Sequence, residues 1–165
     1  MYRKTIYPNI PQAVSVSSIA RIEKNNNNYF TVGYRFEDKQ NSNSNIVIYT
    51  NNYNFILDSL LVTLGTGQVR VDIYENSTVT NNGIEVPSYC LNRIFPAIAD
   101  ANIFISNNIS NVGTNIFNYD SRPNAIDINT IIAGTILKSN SIYLFKLQHI
   151  GNQSTNVHFL VSWTE

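Results

Sequence analysis

Apolar and polar residues alternate with a period of two through most of this chain, and helical periodicity is almost absent. The segment Tyr29 to Phe36 is the clearest case. Phe30, Val32, Tyr34 and Phe36 fall on one face, with Thr31, Gly33 and Arg35 on the other. In an extended backbone that spacing sends every second side chain toward a core. The same pattern predicts further strands over 14–23, 45–50, 53–64, 68–75, 102–106, 125–132, 141–149 and 156–164. Within 141–149, Tyr143, Phe145 and Leu147 oppose Ile142, Leu144 and Lys146, so this strand is expected to be buried on both faces. The last strand carries Val157, Phe159, Val161 and Trp163 on one face and Asn156, His158 and Ser162 on the other. Short strands joined by Asn-, Gly- and Ser-rich connections predict an all-β sandwich or barrel, a single domain over 13–165.

Turn chemistry refines this. From Gln68 to Arg93 the chain reads as a strand (Val69, Val71 and Ile73 on one face), a turn at Glu75-Asn76-Ser77, then Thr78-Val79-Thr80. Asn82-Gly83 follows, a dipeptide suited to a two-residue hairpin because both positions tolerate positive φ. Gly65-Thr66-Gly67 lacks the rest of a phosphate-binding loop and precedes a strand where a helix N-terminus is required, so it predicts a hairpin turn. Residues 1–12 differ from the rest. Pro8 and Pro11 cannot donate ladder hydrogen bonds, while Tyr2, Ile6, Tyr7 and Ile10 are apolar enough to dock. They form either an extended N-terminal arm that packs on a neighbour or a frayed end.

Composition narrows the function classes. At 165 residues the chain can bury one sizeable core, hiding roughly 68–70% of its unfolded surface. Charged residues make up 13%, about half the usual share, and runs of asparagine take their place. Eleven basic and eleven acidic residues leave a net charge of zero, without the concentrated positive field that nucleic acid requires. Near-zero charge also removes one barrier to self-association. The local exception is the N-terminal stretch, where Arg3, Lys4, Arg21 and Lys24 face only Glu23. A lone cysteine, Cys90, excludes an intrachain disulfide and is expected to be a small buried hydrophobe. No apolar run approaches a membrane span or a signal-peptide core, so the expected site of manufacture is a cytosol.

Candidate chemistry is sparse. His149 and His158 are expected on adjacent antiparallel strands as strand-surface residues, with no Cys, Asp or Glu at ligand spacing beside them. No triad motif is present. Glu75 and Glu85 flank one predicted hairpin and are the nearest approach to a glycosidase pair, but as isolated carboxylates they read as solvated or turn-bonded. Asp120 and Asp127 lack a calcium-loop pattern. The ten tyrosines favour strands, and as a set suit an interface or a sugar-binding face. Neither catalytic residues nor a cofactor or metal site is expected.

Two segments carry a family resemblance. One is Tyr74-Glu75-Asn76-Ser77-Thr78-Val79-Thr80, with Gly83 and Asn92-Arg93 downstream; the other runs from Gly134 through Leu144 and closes on Trp163-Thr164-Glu165. Together they resemble the head decoration proteins of tailed bacteriophages, auxiliary, cement or head-fibre proteins, over roughly residues 55 to 165. Ser139 stands where that family usually has proline, and Ile94 where a second asparagine is common. The resemblance implies an antiparallel jelly-roll-like β-sandwich, often trimeric, placed on the virion capsid surface after assembly in the host cytoplasm. It implies the major capsid protein as partner, and no nucleic acid or membrane. Tyr2, Arg3, Lys4, Ile6, Tyr7 and Ile10, in the unmatched N-terminal third, are then the candidate capsid or subunit interface. The alternative is a carbohydrate- or receptor-binding sandwich of a phage fibre or tail, with a surface glycan as ligand.

Overall fold

The computed structural model describes residues 29–91, 96–105, 108–120 and 132–165. The arm at 1–12, with Tyr2, Arg3, Lys4, Ile6, Tyr7 and Ile10, lies outside these residues, as do the strand expected over 14–23 and nearly all of 125–132. Among the described residues run thirteen strands: β1 (Tyr29–Lys39), β2 (Asn43–Thr50), β3 (Phe55–Leu64), β4 (Gln68–Glu75), β5 (Thr78–Asn81), β6 (Ile84–Glu85), β7 (Tyr89–Cys90), β8 (Asn102–Ile105), β9 (Asn108–Asn111), β10 (Thr114–Asp120), β11 (Ile136–Leu137), β12 (Ser141–Ile150) and β13 (Thr155–Thr164). They form a five-stranded sheet in the order β11-β3-β13-β1-β7 and a six-stranded sheet in the order β10-β4-β12-β2-β8-β6. A small ribbon pairs β5 with β9. The pairing is antiparallel in both sheets, and the two pack against each other as an all-β sandwich.

The alternation dictates the core. Phe30, Val32 and Phe36 of β1, Val69, Val71 and Ile73 of β4, and Val157, Phe159, Val161 and Trp163 of β13 are all buried in one cluster between the sheets. Tyr34 shares the inward face of β1 but is exposed, in edge-to-face contact with Phe36. Strand β12 is buried on both faces, as its pattern predicts. Tyr143, Phe145 and Leu147 enter the core, while Leu144, on the opposite face, is also buried beside its cross-strand partner Val47.

Two turn expectations need correction. Gly65-Thr66-Gly67 is a turn but not a hairpin, because β3 and β4 belong to opposite sheets. Nor does Asn82-Gly83 close a hairpin: β5 pairs with β9, and β6 pairs with β8. The asparagine side chains explain the second case. Asn81 Oδ1 accepts the Gly83 N–H at 2.9 Å, and Asn111 Oδ1 accepts the Gly113 N–H at 3.0 Å. Each turn is closed locally by a side chain, so the flanking strands can leave for different partners. Asparagine also occupies every positive-φ position held by a non-glycine residue in the described chain, at Asn41, Asn76 and Asn140. Its short polar side chain tolerates that region better than most, which accounts for part of its abundance in the loops.

Candidate functional site

One end of the sandwich brings together four segments that are distant in sequence. Strand β13 ends in Trp163, fully buried and stacked on Phe55 at 4.7 Å with a 12° tilt. Phe30 of β1 lies 5.7 Å from the same indole. Beyond the strand, Glu165 turns back over this aromatic stack. Its Oε1 accepts the Trp163 indole N–H and the Ala101 N–H, both at 2.9 Å, and its Oε2 accepts the Asp100 N–H at 2.7 Å. Asp100 in turn caps the β2–β3 turn. Its carboxylate accepts the Asn52 and Tyr53 backbone N–H groups and the Asn52 amide. Two carboxylates are thus oriented by backbone and indole donors, which need no basic side chain to hold them.

Above them opens a cavity of about 220 Å³ lined by Phe30, Tyr53, Ala97, Ile98, Asp100 and Glu165. Its rim is conspicuously apolar for a surface: Tyr53 is 62% exposed and Ile98 is 96% exposed. The ion pairs among the described residues join Arg35 to Glu37, Arg70 to Asp120 and Lys138 to Glu75, and none reaches Asp100 or Glu165. No spacing in the sequence points to this site. Trp163 and Glu165 are legible only as part of a family-like ending, and Asp100 stands alone between two alanines.

The residues weighed from sequence are distributed elsewhere. Glu75 ends β4, and its Oε1 accepts from Lys138 Nζ at 3.1 Å and from the Tyr143 hydroxyl at 3.0 Å. The Tyr143 hydroxyl also accepts the Lys138 backbone N–H. Glu85 is exposed on β6 and accepts from the Asn102 amide at 3.2 Å. With β5 and β6 in different pairings, Glu75 and Glu85 do not flank one hairpin. His149 and His158 are not on adjacent strands either, because β12 and β13 belong to opposite sheets. His149 is also not a surface residue; it is buried, with Nε2 3.3 Å from the Thr66 carbonyl and Nδ1 without a partner. Cys90 is half-buried on β7 against the core, close to its expected role. Asp120 is held by Arg70 through two bonds of 2.6 and 2.9 Å, and Asp127 lies outside the described residues. Among the described residues no group of three His, Cys, Asp or Glu side chains could hold a metal ion, and no helix is long and apolar enough to cross a membrane.

The Glu75 cluster makes a pH prediction. The Lys138 ammonium first, and the Tyr143 hydroxyl second, hold the Glu75 carboxyl below its ordinary value of 4.5. On acidification the unfolded chain therefore takes up this proton before the folded one does. The stability contributed by the ionised Glu75 is complete above its ordinary value and is lost as pH falls through the lower folded value. Glu75→Gln should flatten the acid limb of a plot of Tm against pH, leaving the share from Asp120, which Arg70 lowers in the same direction. Thermal denaturation from neutral pH down to about pH 3 checks this; an acid limb as steep as the native one would refute it.

No protein-family model, no curated protein and no solved structure matches the chain.

Proposed function

We propose that the chain is a virion structural protein that binds the outer surface of a phage capsid as a decoration or auxiliary protein. Strand order carries this reading. With the short strands β6, β7 and β8 set aside, the sheets run β11-β3-β13-β1 and β10-β4-β12-β2. Counted in chain order as eight strands, that arrangement supports a jelly roll built from two Greek keys. It supports the fold implied by the resemblance at 74–93 and 134–165. Such a protein works by adhesion, and the surface offers apolar contact area at Tyr53, Ile84, Tyr89, Ile98 and Ile136. Binding only the assembled shell would stabilise that shell by mass action.

In this reading the basic, aromatic segment 1–12 attaches the sandwich to the major capsid protein, and the sandwich assembles as a trimer. Co-sedimentation with shells of the cognate major capsid protein tests capsid binding and the arm's role in it. The full chain should pellet with shells. Deleting 1–12 should abolish pelleting while leaving the β-type circular dichroism unchanged. Undiminished binding by the truncated chain would sink the arm's role, and no binding by the full chain would sink the capsid reading itself.

A further inference from the structure

We infer that the cavity beside Tyr53 and Ile98 is a socket for a cationic side chain, an arginine or lysine presented by a protein partner. This inference stands apart from the capsid reading, since it concerns the chemistry of the contact and not the identity of the partner. Its volume sets the scale. About 220 Å³ lies below the roughly 300–1,000 Å³ of a typical small-molecule pocket, and suits one long side chain.

The lining sets the charge. Among the described lining residues, the carboxylates of Asp100 and Glu165 are acceptors, and the Tyr53 hydroxyl is the one side-chain donor. An anion would meet two carboxylates, and no ion pair among the described residues reaches either of them. A guanidinium or ammonium would meet acceptors that are already fixed in direction by Asn52, Tyr53, Asp100, Ala101 and Trp163. Preorganised acceptors do not have to be ordered when the ligand arrives, which lowers the entropic cost of binding.

The aromatic and aliphatic surface explains why a side chain suits the cavity better than a free metal cation. Phe30 and Tyr53 are the aromatic residues of the lining, and Ala97 and Ile98 the aliphatic ones. A lysine or arginine carries its charge on an apolar stem that can lie along such surface, with a cation–π contribution from the rings. The rim points the same way. An isoleucine that is 96% exposed beside a tyrosine that is 62% exposed is costly to leave in water and valuable once a partner covers it.

Trp163 provides the readout. It is the single tryptophan, and its indole N–H donates to Glu165, so one resonance in a nitrogen–proton correlation spectrum reports on the socket floor. The ¹⁵N-labelled full chain would be titrated with Nα-acetyl-arginine amide, Nα-acetyl-norleucine amide and methyl glucoside. The arginine amide should move the indole resonance saturably, with a Kd in roughly the millimolar range. Asp100→Asn should weaken that binding about tenfold, and Tyr53→Ala about threefold. Should Asp100→Asn fail to fold, Tyr53→Ala and Ile98→Ser, both on the exposed rim, carry the same test. A response to arginine amide that never saturates, or that norleucine amide equals, overturns the inference. Saturation by methyl glucoside with none by arginine amide would also overturn it and assign the cavity to a sugar.

Discussion

Replacing Trp163 with alanine should be among the most damaging single changes in the described core, costing about 3–5 kcal/mol, the range for deleting a large buried aromatic side chain. The indole is fully buried, stacked face to face on Phe55 and tilted against Phe30, so its loss opens a cavity between three strands of one sheet. Packing is only part of the effect. The indole N–H is one of three donors to Glu165, and Glu165 holds the backbone at Asp100 and Ala101. Removing the donor loosens the segment that caps the β2–β3 turn. A graded series separates the two contributions. Trp163→Phe keeps an aromatic ring in the stack but loses the hydrogen bond, which should cost about 1 kcal/mol plus the volume lost. For a chain of this length the alanine variant should lower Tm by roughly 6–20 °C. Calorimetry on both variants checks the ordering, and an alanine variant within 1 kcal/mol of native would refute it.

That dependence also shows what alternation can and cannot reveal. The period-two pattern of Val157, Phe159, Val161 and Trp163 declares which face of β13 is buried, and the structure buries all four, together with Ser162 on the opposite face. It is silent on which strand lies alongside. The turn at Gly65–Gly67 predicts a hairpin, and His149 and His158 are expected on paired strands, yet β3 and β4, and again β12 and β13, cross between sheets. Alternation is a local property, whereas partner choice is settled by how two whole sheets close on each other. His149 illustrates the same limit. Its burial depends on two glycines: a Cβ at Gly67 would lie 2.9 Å from Nε2, and one at Gly151 would lie 3.3 Å from the same ring. The imidazole fills space that those side chains would take, a fact no pattern around His149 discloses. The cavity was illegible for a related reason. Asp100 and Glu165 are bound mainly by backbone donors, which leave no side-chain signature, and Tyr53 and Phe30 join them only through the fold.

Gly113→Ala is expected to rival the tryptophan deletion, through the backbone instead of the core. Gly113 sits at φ +83° between β9 and β10, where an L-residue carries a penalty of about 1–2 kcal/mol. Its surroundings add a steric cost. An added Cβ would lie 2.2 Å from the Glu75 carbonyl oxygen and 2.9 Å from both Asn76 C and Ser77 N. All three are backbone atoms, so no rotamer change can relieve the overlap, and either the β4–β5 or the β9–β10 junction must move. That junction is pinned from several sides. Ser77 donates its backbone N–H to Ile142 and its hydroxyl to Val112, and Asn111 closes the turn onto the Gly113 N–H. The total cost should therefore exceed about 3 kcal/mol, in the range reserved for changes with a specific structural cause. Gly134 supplies the control within the same molecule. It has the same φ of +83°, but no atom of the described residues lies within 4 Å of an added Cβ. Gly134→Ala should cost only the conformational penalty of about 1–2 kcal/mol. Urea denaturation of the two variants then isolates the steric component. Equal losses would show that the junction yields freely and that the close approach of Gly113 to Glu75 does not constrain the fold.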